Sequence, residues 1–296
     1  MRAKLWLLFG VFAMVLFAVG DVMAEDKAED KTGDKVGPDE NFYIFVCFGQ
    51  SNMEGYPGIE EQDKGPVSER FKVLAAVDMP KYDRVRNKWY PATPPLSREY
   101  AGLGPGDYFG RTMVEKLPDN IKVGIVNVSI GGCRIELFME GECKEYAKTA
   151  PEWMKPVIEM YGGNPYEYLV ETAKLAQKDG VIKGILLHQG ESNTGDAEWP
   201  VKVKGVYEKL LSDLNLKADD VPLVAGEVVN LDQGGVCGSM NEIIDTLPDV
   251  ISSAHVVSSK GCTCLGDNLH FDAAGYREMG KRYAEIMLAL LDNKKE

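Results

Sequence analysis

Five short runs of apolar and β-branched residues constrain the fold of this chain most tightly. They cover residues 42–49, 122–129, 182–188, 222–229 and 254–257, and each ends in a glycine-rich or polar turn. Apolar runs of this length read as buried strands. Segments with helical spacing lie between and after them, over 107–117, 164–178, 201–214, 241–247 and 271–291. Asn164 and Pro165 supply a cap and a first-turn proline for the second. Tyr276, Met279, Tyr283, Ile286 and Leu290 form a 3.6-residue stripe along the last. Strands alternating with helices predict a parallel sheet covered on both faces, hence a single three-layer α/β domain with five strands.

Ahead of the first run, residues 1–24 have the pattern of a secretory signal peptide. Arg2 and Lys4 precede an almost wholly apolar stretch, and Val22-Met23-Ala24 offers small residues for cleavage. The apolar run is short for an uncleaved membrane anchor. Residues 25–40 are charged, lack aromatics and predict a disordered acidic linker, leaving one domain over 41–296. A secreted or periplasmic protein follows, with no membrane association once the signal is removed. Net charge is -13, which argues against nucleic acid or an anionic membrane as partner. Oligomeric state is not specified by the sequence. Six cysteines in an exported chain permit disulfides. Proximity suggests Cys133 with Cys143, and Cys237 with Cys262 or Cys264, while Cys47 inside the first strand reads as a free core thiol. There is no C-x-x-C, no H-E-x-x-H and no metal-ligand spacing.

The first strand, FYIFVCFG, runs directly into Gln50-Ser51-Asn52-Met53. A serine at the carboxyl end of such a strand faces the crevice where open α/β sheets bind ligands, so Ser51 is the candidate nucleophile. A nucleophilic serine needs a base, a group to orient the base, and oxyanion donors. There are three histidines. His188 ends an apolar strand and His255 lies within one, so packing roles suit both. His270 precedes the last helix, and Asp267 three residues earlier can fold back onto its ring. Gly131-Gly132 after the second strand allows close backbone approach to an oxyanion, although a plain turn would use the same residues. Gln189 can offer an amide donor. G-x-S-x-G, Walker A and G-x-G-x-x-G motifs are absent. The segment 54–104, with Trp89 and Tyr90, reads either as a substrate-facing loop whose aromatics stack on sugars or as a structural excursion.

Gly49-Gln50-Ser51-Asn52-Met53, Ile130-Gly131-Gly132, His188-Gln189-Gly190-Glu191-Ser192 and Asp267-Asn268-Leu269-His270 fall in the order of the sequence blocks of the SGNH hydrolases. They resemble its sialate O-acetylesterase-like branch, which includes the acetylxylan esterases of carbohydrate esterase family six. The resemblance spans 42 to about 291. It implies a flavodoxin-like five-stranded sheet and hydrolysis of O-acetyl groups on sugars. It also implies Ser51 as nucleophile, His270 as base and Asp267 as its partner, with oxyanion donors from the Ser51 N–H, Gly132 and Gln189. Gly-Gln-Ser-Asn stands where wider members carry Gly-Asp-Ser-Leu, and Gln189 where they use Asn; the branch shares both changes. Glu191 is an alternative triad acid. No metal or organic cofactor is needed. The expected activity is removal of acetyl groups from plant polysaccharide such as acetylated xylan. The alternatives are O-acetylated sialic acid or another acyl sugar, or a non-catalytic carbohydrate-binding protein on the same fold.

Overall fold

The computed structural model describes residues 37–293; the signal-peptide reading over 1–24 and residues 25–36 of the linker lie outside them, while Asp39 and Glu40, read as the linker's end, instead open the first strand. The strands are β1 Asp39–Gly49, β2 Phe71–Leu74, β3 Trp89–Pro91, β4 Lys122–Ser129, β5 Gly180–His188, β6 Leu223–Gly226 and β7 Ala254–Val257. They form one sheet in the order β3-β2-β4-β1-β5-β6-β7. The five expected strands are β1, β4, β5, β6 and β7. Taken alone, their order is 2-1-3-4-5, the flavodoxin-like winding, whose ligand crevice opens where the order reverses.

Central β1 explains why both faces must be covered. Ile44 through Phe48 are all fully buried, each burial favouring the fold by about 1.5–3 kcal/mol. Because successive side chains alternate, Ile44, Val46 and Phe48 enter one core with the helices Pro165–Ala176 and Trp199–Asp213. Phe45 and Cys47 enter the other with Pro105–Lys116 and Ala273–Asp292. The two helices of that second layer cross closely at Gly280, where a Cβ would lie 2.5 Å from the Pro105 carbonyl oxygen. Asn164 accepts from the Glu167 N–H as helix cap, in the role its position before Pro165 suggests.

Register sets the level of the strand ends. Gly49 pairs with Ser129 of β4 and with His188 of β5. The turns that follow all three strands therefore emerge side by side.

Two expectations are corrected. The sheet has seven strands rather than five. β2 (FKVL) and β3 (WYP) lie inside the segment read as irregular, and at four and three residues they are too short to show a period. β3 is an antiparallel edge strand, the one place a sheet tolerates Pro91. Trp89 packs on Phe42 at the start of β1, ring centroids 4.7 Å apart, and its indole N–H donates to Asp179 at 2.9 Å. The Tyr90 hydroxyl accepts from the Val85 N–H at 2.8 Å. Trp89 therefore lies at the start of β1, the end opposite Ser51. Second, all six cysteines are free. The Cys133 thiol turns toward the Gly49 carbonyl, Cys237 toward Glu191 and Cys264 toward Gln233; nearness in sequence did not become a pairing in space. No helix among the described residues is long and apolar enough to cross a membrane.

Candidate active site

Ser51 opens a single helical turn, Ser51–Glu54, immediately after β1. The junction needs Gly49. Its φ is +147°, and a Cβ would sit 2.1 Å from the His188 carbonyl oxygen. The Gln50 N–H continues the ladder to that oxygen at 3.0 Å, and the Gln50 carbonyl then accepts from Met53 and Glu54. The Ser51 N–H has no partner among the described residues and opens toward the strand ends.

His270 Nε2 lies 2.9 Å from Ser51 Oγ, and His270 Nδ1 lies 2.7 Å from Asp267 Oδ2. Asp267 Oδ1 accepts from the backbone N–H groups of Leu269 and His270, both at 3.0 Å. Asn268 between them has φ +54°, the left-handed conformation that Asn tolerates and that closes this turn. Burial pushes the Asp267 carboxyl up, but the His270 ring and the two N–H donors outweigh it and hold the group below its ordinary value. An ionised Asp267 fixes the proton on Nδ1 and leaves the Nε2 lone pair for Ser51.

Ser51 and His270 come from opposite ends of the described chain, and Asn52 ties their segments together. Its Nδ2 donates to the Leu269 carbonyl at 3.1 Å and to Glu191, and its Oδ1 accepts from the Phe271 N–H and the Tyr276 hydroxyl. Glu191 thus meets Asn52, while His270 meets Asp267. One Glu191 oxygen has no partner, and burial pushes its pKa up to about 7 against the opposing Asn52 hydrogen bond. The alternative assignment of Glu191 as triad acid is corrected: a carboxyl short of donors is held toward its neutral form, and it does not reach the imidazole.

Gln189 is also relocated. Its Nε2 faces Asn193 Oδ1 at 2.8 Å, Gln50 Oε1 at 3.1 Å and the Cys133 carbonyl at 3.2 Å, while its Oε1 accepts from the Trp199 indole. An amide has two hydrogens, and three buried acceptors already surround them. Gln189 therefore lies beneath the crevice, not in it. Gln50 is the group it supports. Gln50 Oε1 is gripped by Gln189 Nε2 and by the N–H groups of Ser192 at 3.3 Å and Gly190 at 3.5 Å. Its own Nε2 has no partner among the described residues.

The glycine pair divides its labour. The Gly131 N–H donates to Glu54 Oε2 at 3.2 Å, whereas the Gly132 N–H has no partner among the described residues. Glu54 is buried, which pushes its pKa up, and Arg98 opposes that shift. The Gly132 carbonyl accepts from Ser192 Oγ at 2.9 Å, joining the turns after β4 and β5. Two aromatics flank the site. Tyr56 stacks on the His270 ring with centroids 3.7 Å apart and planes at 14°. At Gly132, whose φ is +73°, a Cβ would come 2.7 Å from Trp153 Cη2. His188 is buried, which lowers its pKa to about 3 and keeps it neutral, with Nδ1 3.2 Å from the Tyr283 hydroxyl. His255 is a partly buried residue of β7. Both have the packing roles their positions suggest.

Residues 41–289 match the family described as "Carbohydrate esterase, sialic acid-specific acetylesterase". The chain belongs to this family. Its members are carboxylic ester hydrolases, and the SGNH resemblance of the four blocks agrees with it. Solved structures of the same fold include a protein of Arabidopsis thaliana (23% identity, TM-score 0.65, 83% of this chain and 98% of that one). NanS is similar at 19% identity and TM-score 0.60, over 87% of this chain and 99% of that one. A carbohydrate acetylesterase of Xanthomonas citri aligns at 16% identity and TM-score 0.57, over 81% of this chain and 55% of that one. At these identities the likenesses establish the fold of the esterase. Its sequence had pointed to Ser51, Asp267, His270 and the glycine pair. Gln50 and Asn52 were missed although they adjoin Ser51, because only their distant partners reveal their roles. Tyr56 and Trp153 lie in segments without periodicity.

Proposed function

We propose that the protein is a carbohydrate O-acetylesterase working through a Ser51 acetyl-enzyme, with acetylated plant polysaccharide such as xylan as substrate. The observation that carries this reading is the continuous hydrogen-bond chain Ser51 Oγ–His270–Asp267. In the first half-reaction Ser51 Oγ attacks the acetyl carbonyl carbon and His270 Nε2 takes its proton. The oxyanion faces the free N–H groups of Ser51 and Gly132 and the free amide of Gln50, which Gln189 holds from below. As the tetrahedral species collapses, the carbon–oxygen bond to the sugar breaks and the sugar oxygen takes the proton from His270. Water, deprotonated by His270, then releases acetate and restores Ser51. Asp267 stays ionised throughout and stabilises the imidazolium.

A second substrate, O-acetylated sialic acid, is favoured by the wording of the family description. A non-catalytic binding role would leave the ordered triad unexplained. The proposal includes export under the leader 1–24, which predicts a mature chain beginning at Glu25. The test is acetate release by the mature protein from acetylated xylan and, in parallel, from O-acetylated sialic acid. Release that Ser51→Ala abolishes is expected; release that survives in Ser51→Ala, or none from any acylated sugar, would sink the reading.

A further inference from the structure

Exposed large apolar side chains are normal on a protein surface when they are scattered. Tyr56 and Trp153 are 55% and 62% exposed, yet each touches a residue of the reaction centre. Tyr56 covers one face of the His270 ring. The edge of the Trp153 indole rests on Gly132, where only glycine leaves room for it. The two rings thus stand on different sides of Ser51, one by the base and one by the oxyanion donors.

Both are mounted on pinned backbone. Gly55 has φ +101°, its N–H donates to the Ser51 carbonyl at 2.9 Å, and its carbonyl accepts from Gly102 at 2.9 Å. The main chain entering Tyr56 is therefore fixed to the nucleophile's own turn. Trp153 is followed by Met154, a core residue whose N–H donates to Pro151 at 2.9 Å. Rings held this way lose little freedom when a ligand packs on them. The apolar C–H face of a pyranose is a natural partner for an aromatic face left in water.

Charge narrows the ligand. Three of the cations on the segments that flank these rings are already paired: Arg98 with Glu54, Arg134 with Glu136 and Asp196, Lys155 with Glu152. The chain as a whole carries -13. A sugar bearing a carboxylate would meet compensated cations in an acidic surround.

We infer that Tyr56 and Trp153 form the two walls of a sugar subsite that binds the ring of a neutral acetylated pyranose beside Ser51. The inference rests on the acetylesterase reading and adds the substrate's charge class and the residues that select it. Binding by Ser51→Ala protein separates it from catalysis. Neutral acetylated xylo-oligosaccharide and anionic O-acetylated N-acetylneuraminic acid are titrated by calorimetry and by tryptophan emission. In the protein beginning at Glu25, which lacks Trp6, Trp199 is fully buried and Trp89 is packed on Phe42, so emission changes report Trp153. The neutral sugar should perturb the emission and bind more tightly than the anionic one. Tyr56→Ala and Trp153→Ala in the Ser51→Ala background should each weaken binding about tenfold, with Tyr56→Phe restoring it. Unchanged affinity in both alanine variants, tighter binding of the anionic sugar, or no binding of either would each overturn the inference. Ser51-dependent acetate release in that event would leave the acetylesterase proposal standing. Absence of release from every carbohydrate would remove that proposal whatever the rings bind.

Discussion

Two carboxylates lie within reach of the triad, and they are opposites. Asp267 sits in a tight turn that aims an imidazole and two backbone N–H groups at it, so it stays charged. Glu191 sits in the turn after β5, buried, with one oxygen satisfied by Asn52 and one by nothing. Asp267 both reaches the imidazole and has the donors to stay ionised, whereas Glu191 has neither.

The sharpest test exchanges the two. Asp267→Asn should lower kcat for an aryl acetate by about 10³–10⁴, because the ring loses its fixed tautomer. Glu191→Gln keeps the acceptor for Asn52 and should stay within about fivefold. Comparable losses in both would erase the distinction. The amides offer a parallel contrast. Gln50→Ala should cost about 10²–10³ in kcat with KM nearly unchanged. Gln189→Ala should also lower thermal stability, since it strands the Trp199 N–H; about 1–3 kcal/mol is expected for that group. A larger kcat loss for Gln189→Leu or Gln189→Ala than for Gln50→Ala would return Gln189 to the oxyanion hole.

pH reads the same contrast through stability. Glu191 has its folded pKa raised to about 7, so between the ordinary Glu value and about 7 the native state binds more protons than the unfolded chain. Stability from this group therefore falls as pH rises through that window. Glu191→Gln cannot titrate, and its advantage in Tm should grow from pH 5 to pH 8, toward a limit on the order of 3 kcal/mol. For Asp267 the sign reverses: its lowered pKa stabilises above the ordinary carboxylate value, and that contribution is lost as pH falls. The smallest effect is expected far from the crevice. Trp89→Ala should cost about 1–2 kcal/mol, below the figure for a fully buried aromatic, and leave KM for acetylated xylan unchanged. A raised KM would restore the edge-strand aromatics as sugar contacts.

Local chemistry was legible in the sequence and distant chemistry was not. Asp267 and His270 share one turn, and Ser51 ends a strand whose apolar run is long and unbroken. The partners of Gln189, by contrast, come from Cys133, Asn193 and Trp199, and no spacing announces them. FKVL and WYP are too short for an alternation to register, so β2 and β3 were missed, and with them the true position of Trp89. Trp153 belongs to a stretch of short helices and turns, 133–163, each too brief to show a helical period.

The Asn52 clamp also has a consequence for the order in which this protein becomes itself. Ser51 lies directly after β1, and His270 follows 219 residues later. Asn52 can meet Glu191 once β5 is in place, but Ser51 meets His270 only when the penultimate stretch of polypeptide arrives. A nascent or prematurely terminated chain therefore holds a serine with no base beside it. The proposed esterolysis therefore requires the polypeptide at least through His270.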